Sequence, residues 1–541
     1  MDDKEKKDPK DNKICKNPKD DKRVGGKGKG RKDNKRGSDK KGYPPQDPAW
    51  YALSEKILKD VASYPFSKPV GATIASGIDV TPSQQTPSVL PGILTFKYQH
   101  SVGNGKEGSS ALQTAAQEFY AYVRQANSGA KNYEAPDLMV YFLSATGIYD
   151  LVAKCKRAYR LLKRFSNYNL YLGKPLIEQL GFNYDDIVSN QADFRRIVNT
   201  AIHRINSSLH LPKGMTWFDR AAFLASNVFA DRPGDKFQMY LFDTDFLWMW
   251  TGTEATGSAI VNFEIPGMIS VDTLSTLFNT LIDALITDED VQIMSGDILK
   301  AYGDDNTLKI PELEEDEELE IVYHPEMLLQ IHNMQSNFST GDGTAWLNNV
   351  AAADTYVEGN LPVFQRNGRI YSIPALKTAD AFYTSFLLDV PVDSPTPGDV
   401  MEGTRLKQFI SQKSSDRIQM SDGRTYNAIT CGSEIITTVS SITLSSNNGI
   451  LTTRTDDIDF VSDSTNTSGI TTLFWYQSLG TGFEWRPLYY AAEKSDTPST
   501  LPGYYNGDIS NFTLLSYNNL DDLHYAAIFG LLRVPTYTVS K

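Results

Sequence analysis

The sequence predicts an α+β protein with a mainly α-helical body, a β-rich second region and a disordered basic arm at the N-terminus. Three observations carry this expectation. Apolar residues recur at helical spacing from about residue 109 to 335. The composition then shifts to Ser, Thr, Gly and Asn with short β-branched and aromatic runs, up to about residue 504. Residues 1–41 carry 17 Lys and Arg against 9 Asp and Glu and almost nothing apolar, so they cannot bury enough surface to offset their chain entropy.

The chain is 541 residues long with 40% hydrophobic residues, enough for two domains and a tail. Its net charge of −13 hides a division: the arm has a surplus of eight positive charges, while the rest holds 36 basic and 57 acidic residues. A basic arm on an acidic body points the arm at a polyanion and keeps the body soluble. Cys15, Cys155 and Cys431 are too few and too far apart for a disulfide framework or a zinc site, which fits a reducing compartment. No signal peptide is visible, and no run reaches the length a membrane span requires.

Taken in order, Tyr43-Pro44-Pro45-Gln46-Asp47-Pro48 is a rigid entry, with Asp47 as N-cap and Pro48 opening a helix that carries Trp50, Leu53, Ile57, Leu58 and Val61 on one face. Pro65 closes it, and a Pro/Gly/Ser-rich stretch follows, interrupted by the short strand Ile93-Leu94-Thr95-Phe96. Helices are expected over 109–127, from Pro136-Asp137 to about Phe165, and over 190–208, 216–229, 271–286 and 325–335. Residues 238–250 fit strand and helix equally. In the second region, 434–439, 441–444 and 473–476 suit strands, Asn447-Asn448-Gly449 suits a hairpin turn, and one helix is expected over 399–413. A last helix over 518–533, ending before Pro535, returns to the body.

Two basic groups are candidates for nucleic-acid contact. In the arm these are Lys22, Arg23, Lys27, Lys29, Arg31, Lys32, Lys35, Arg36, Lys40 and Lys41, which would neutralise phosphates without reading sequence. A solubilising tail or an import signal is the plainer reading. The second group, Lys154, Lys156, Arg157, Arg160, Lys163 and Arg164, shares a broad helix face that would line an interior; a solvated face explains it equally well. The acidic run from Glu312 to Glu320 lacks the Asp/Asn/Gly order of a calcium loop and reads as a solvated loop. Tyr302-Gly303-Asp304-Asp305 resembles the metal-binding turn of RNA-dependent polymerases. It lacks a preceding strand and a separate carboxylate partner, so an ordinary turn is the better reading. No GxSxG, HExxH or phosphate-loop pattern occurs, the six histidines are scattered, and no metal or cofactor is expected.

Several blocks resemble picobirnavirus capsid proteins. These are Asp47-Pro48-Ala49-Trp50-Tyr51-Ala52 followed by Tyr64-Pro65-Phe66-Ser67-Lys68-Pro69-Val70-Gly71; Tyr122-Val123-Arg124 with Asn127-Ser128-Gly129-Ala130-Lys131-Asn132-Tyr133-Glu134 and Asp137-Leu138-Met139; and Asp288-Glu289-Asp290 with Ile293-Met294-Ser295-Gly296-Asp297-Ile298-Leu299-Lys300-Ala301. The last block runs into the polymerase-like turn and accounts for it. A short fourth block is Leu329-Gln330-Ile331-His332, and a thinner similarity continues through Glu402-Gly403-Thr404-Arg405-Leu406 to the C-terminal helix. The resemblance implies a mainly α-helical shell domain (43–335, with 505–541 returning to it), a β-rich protruding domain (336–504) and a disordered arm (1–42). It also implies symmetric, intertwined dimers assembled into an icosahedral shell, with the arm facing a double-stranded RNA genome inside a virion assembled in the host cytoplasm. The protruding loops would meet a host component of unspecified kind. One departure is the aspartates interleaved with the arm's lysines, which favour residues 22–41 over 1–22 for RNA contact. A cellular RNA-binding protein with a basic arm is the rival reading, and a polymerase is the remoter one.

Overall fold

The computed structural model describes residues 54–63, nearly all of 92–334 and, beyond that, separate stretches, chiefly 386–410, 428–447, 450–458, 484–492 and 509–535. Residues 1–42, the Asp47-Pro48 entry and the 473–476 run lie outside the described residues. Residues 1–67 and 68–541 form two units. In the first, the described helix is α1 (Glu55–Ala62). Its cap is Ser54, whose hydroxyl accepts from the Ile57 N–H at 3.3 Å. Ile57 and Val61, one turn apart, are both exposed.

In the second unit, α2 (Ala111–Ala126), α3 (Ala135–Ser144) and α4 (Thr146–Asn167) come first. Pro136 sits in the first turn of α3, and Asp137 reaches back to the Glu134 N–H at 2.9 Å, so a capping box starts this helix. Everything from Leu138 to Ser144 is buried. The stretch Ala135–Phe165 is apolar and long enough to cross a membrane by length and composition, which corrects the expectation that no run is. Its most apolar part is almost wholly buried inside the protein, so it is a core element. The helices α5 (Leu170–Gln179), α6 (Tyr184–Ser189), α7 (Gln191–Ser208), α8 (Thr216–Ser226), α9 (Val271–Ile286), α10 (Glu289–Tyr302) and α11 (Pro325–His332) follow, then α12 (Pro397–Gly403) and α13 (Tyr517–Leu532). Helix α8 stops at Ser226, because Val228–Ala230 joins a sheet. Helix α12 is shorter than expected, because Gln408–Ile410 pairs as a strand with Ala428–Thr430.

The main sheet is built from β1 (Ile93–His100), β2 (Val228–Ala230), β3 (Met239–Thr244), β6 (Ile321–Tyr323), β12 (Glu434–Asn447) and β13 (Ile450–Ile458). The spatial order is β13-β12-β1-β3-β2-β6, with β1/β3 and β2/β6 parallel and the rest antiparallel. Asn447 pairs with Ile450, so the expected hairpin turn is a two-residue connection. Both faces of this sheet are covered. Leu94, Phe96, Tyr98, Tyr240 and Phe242 pack toward α11, while Ile93, Met239 and Leu241 join the core shared with α2–α4, α7, α9 and α10.

A second sheet has β4 (Phe246–Thr253) and β5 (Gly257–Glu264) joined to β7 (Val363–Arg366) and β8 (Arg369–Ser372), in the order β8-β7-β5-β4. Of residues 238–250, 239–244 and 246–250 are therefore strand. The pairs β9 (Leu387–Asp389) with β14 (Phe512–Leu514) and β10 (Gln408–Ile410) with β11 (Ala428–Thr430) complete what bears on the argument. Helix α13 packs on α2 and α8, and its Ile528, Leu531 and Leu532 join the main core. Pairing crosses the expected boundary near residue 335: β12 belongs to the main sheet and β7 to the second one.

Candidate functional site

Helix α4 holds the second group of candidate cations, and the fold places them against acceptors of the chain itself. Lys154, Lys156 and Arg157 are buried. Lys154 lies 2.8 Å from Asp243 of β3, whose other oxygen accepts from Lys97 of β1 at 2.6 Å. The Arg157 guanidinium stands 3.7 Å from the same carboxylate and donates to the carbonyls of Leu224 at 3.2 Å, Asn227 at 3.4 Å and Phe242 at 2.7 Å. It thereby satisfies orphan carbonyls at the C-terminus of α8 while fixing α8 to β3. Burial alone would favour the neutral acid at Asp243, but Lys154, Lys97 and Arg157 outweigh it and hold the carboxyl down at about 2. Burial lowers Lys154 below the ordinary lysine value, with Asp243 offsetting part of that.

The remaining cations of α4 meet the acidic run. Lys156 donates to the Pro311 carbonyl, Tyr159 to the Glu315 carbonyl at 3.1 Å, Arg160 to Glu317 at 2.6 Å and Arg164 to the Leu319 carbonyl at 2.8 Å. Lys163 lies over the Tyr159 ring. From α7, Asn199 clamps Leu313 through two hydrogen bonds of 3.1 and 2.8 Å, and Asn206 clamps Ile310 through two of 2.8 and 2.9 Å. Leu313 and Leu319 are buried beneath. The acidic run keeps most of its carboxylates in solvent, as expected, while its backbone and the two leucines fasten it as a strap across α4 and α7. Of the six cations expected on an interior basic face, Lys154, Lys156 and Arg157 are buried and offer no open surface, while Arg160, Lys163 and Arg164 stay partly exposed. Sequence reasoning missed Asn199 and Asn206. Their spacing of seven, two helical turns on one face, was the available signal.

Three other contacts between titratable side chains join distant segments. His100 of β1 and Asp150 of α4 meet at 2.6 Å; burial works against the charged imidazole, but Asp150 prevails and raises His100. Arg220 of α8 binds Glu434 of β12 through both carboxylate oxygens at 3.1 Å. His332 of α11 stands 2.8 Å from Asp389 of β9, whose second oxygen accepts from the backbone of Ser510 and Asn511.

The Tyr302-Gly303-Asp304-Asp305 motif ends α10. Gly303 takes φ 77° as the C-cap, and Asp304–Asn306 forms a 3-10 turn. Asp304 is exposed and pairs with Lys309 at 3.0 Å. No strand hairpin presents these aspartates, and among the described residues no cluster of three or more His, Cys, Asp or Glu is placed to hold a metal.

The arm residues Lys22, Arg23, Lys27, Lys29, Arg31, Lys32, Lys35, Arg36, Lys40 and Lys41 lie outside the described residues. The sequence pattern of the family described as Picobirnavirus, Capsid protein matches residues 50–467. The chain belongs to the picobirnavirus capsid protein family. It is 28% identical over 386 residues to a capsid protein precursor of Human picobirnavirus (strain Human/Thailand/Hy005102/-), covering 68% of this chain and 69% of that one. It also resembles the crystal structure of a picobirnavirus capsid, with a TM-score of 0.72 at 26% identity, over 91% of this chain and 98% of the other. A viral capsid role and a place in the virion follow from that membership. In this capsid-family chain, the α4 network and its strap both lie within the matched residues.

Proposed function

We propose that the chain is a structural, non-enzymatic subunit that assembles itself through symmetric dimers into an icosahedral shell enclosing double-stranded RNA. The observation that carries this reading is the likeness to a picobirnavirus capsid structure across nearly the whole length of both chains. Closed symmetry would then limit growth to a shell. The helical body, with α13 returned to it, serves as the shell domain. The segments of 336–504 that do not pair into the body sheets form the protruding domain and face the host. The basic arm lies inward, and residues 22–41 neutralise RNA phosphates nonspecifically. With the cations of α4 engaged inside the chain, the arm is left as the main RNA contact. No cofactor takes part, and assembly occurs in the host cytoplasm.

Deleting residues 1–41 tests the arm's role. RNA co-purifying with the particles should fall, and what remains should depend less on salt. RNA content unchanged across a salt series would sink it.

A further inference from the structure

Strand β14 is an open edge with an unusual surface. Its only strand partner among the described residues is β9, with Asp389 opposite Phe512 and Leu387 opposite Leu514. The Asn511 carbonyl accepts from the Val390 N–H, and the Leu515 N–H donates to the Phe386 carbonyl. Residues 511, 513 and 515 therefore turn their main-chain groups toward β9. By the alternation of an antiparallel ladder, Phe512 and Leu514 turn theirs outward. Their side chains share one face and are 59% and 69% exposed, with Ile509 and Val392 exposed beside them. Natural proteins guard such edges with charge, proline or a bulge. Here twelve residues, 509–520, contain no charged residue at all. The edge is nevertheless rigidly held, because Asp389 accepts from the backbone of Ser510 at 2.9 Å and of Asn511 at 3.2 Å.

We propose that this edge is a two-fold contact with a second copy of the chain, a proposal that rests on the capsid reading. Two features select that occupant. The edge is self-complementary: a two-fold axis at Thr513 sets Phe512 against the partner's Leu514 and Leu514 against the partner's Phe512, with outward N–H and C=O groups matched at both positions. The charge-free segment is also a place where two chains of net charge −13 can approach without repulsion.

Changing Phe512 and Leu514 both to Asp places like charges opposite each other twice, whereas F512K with L514D places opposite charges there. Phe512 also stands opposite the buried Asp389 within the chain, so the double-Asp variant should melt somewhat below the wild type and the Lys/Asp variant close to it. A change at Thr513, which faces Leu388, tests the contact free of that difference. In sedimentation velocity at low salt, the double-Asp variant should self-associate about tenfold or more weakly and give fewer particles, and the Lys/Asp variant should be rescued. Thr513→Cys should cross-link to a covalent dimer on mild oxidation, beyond any wild-type background, since the introduced thiols would meet as a close, non-hydrogen-bonded pair. Wild-type behaviour in the double-Asp variant, or equal loss in both charge variants with no cross-link in the Thr513→Cys variant, overturns this contact and leaves the capsid reading standing. A wild type that forms neither dimers nor shells overturns both.

Discussion

Asp243 lies in the run Met239-Tyr240-Leu241-Phe242-Asp243, where a carboxylate straight after apolar and aromatic residues signals a buried charge needing partners. What the sequence withheld was which cations answer it, because Lys97 and Lys154 come from elements 146 and 89 residues away. The six clustered cations of α4 look alike in sequence, yet the fold buries Lys154, Lys156 and Arg157 and leaves the others partly open. Asp243→Asn should cost about 3–5 kcal/mol in urea unfolding at pH 7, since it leaves three cations without their counter-charge. Asp243 sits at about 2 in the fold against an ordinary 3.8, so its stabilisation is complete above about pH 4 and is lost as pH falls toward 2. The variant should lose that part of the acid dependence, and an unchanged profile would refute the assignment. At the opposite extreme, changing Asp304 and Asp305 together to Ala should shift stability by no more than about 0.5 kcal/mol and leave particle yield intact, because both are exposed. A loss of nucleotide incorporation by purified protein would revive the polymerase reading.

Among elements, the helices α2, α7 and α9 were legible because each buries one stripe at helical spacing. The 399–413 expectation failed where tertiary pairing overrode local pattern, since Phe409 goes to a strand opposite Ile429. The long apolar segment from Pro136 is broken at Ala145 into α3 and α4. Two helical glycines give opposite predictions. A Cβ on Gly147 would stand 2.1 Å from the Trp248 carbonyl oxygen, so Gly147→Ala should destabilise by about 1–3 kcal/mol. Gly296, mid-way along α10, has nothing within 4 Å of such a Cβ, and Gly296→Ala should stabilise by about 0.5–1 kcal/mol. Thermal unfolding of the two variants checks the packing of α4 on β4, and a neutral Gly147→Ala would contradict it.

For the whole molecule, composition marked a change near residue 335 that the chain's pairing does not respect. The long strand β12 is rich in Ser and Thr and reads as part of an exposed β region, yet it lies against β1, more than 300 residues earlier, with Ile436 and Val439 in the core. Such register is non-local and no window of sequence contains it. Arg220 and Glu434 close the same join from the helical side. The central claim is that this body assembles into a shell. Electron microscopy of the purified full-length protein, with absorbance read at nucleic-acid and protein wavelengths, tests it most directly. Closed, uniform shells are the predicted result, with the absorbance ratio showing whether RNA is held inside. Only small soluble species across a range of salt and pH would contradict the claim and favour a cellular RNA-binding protein.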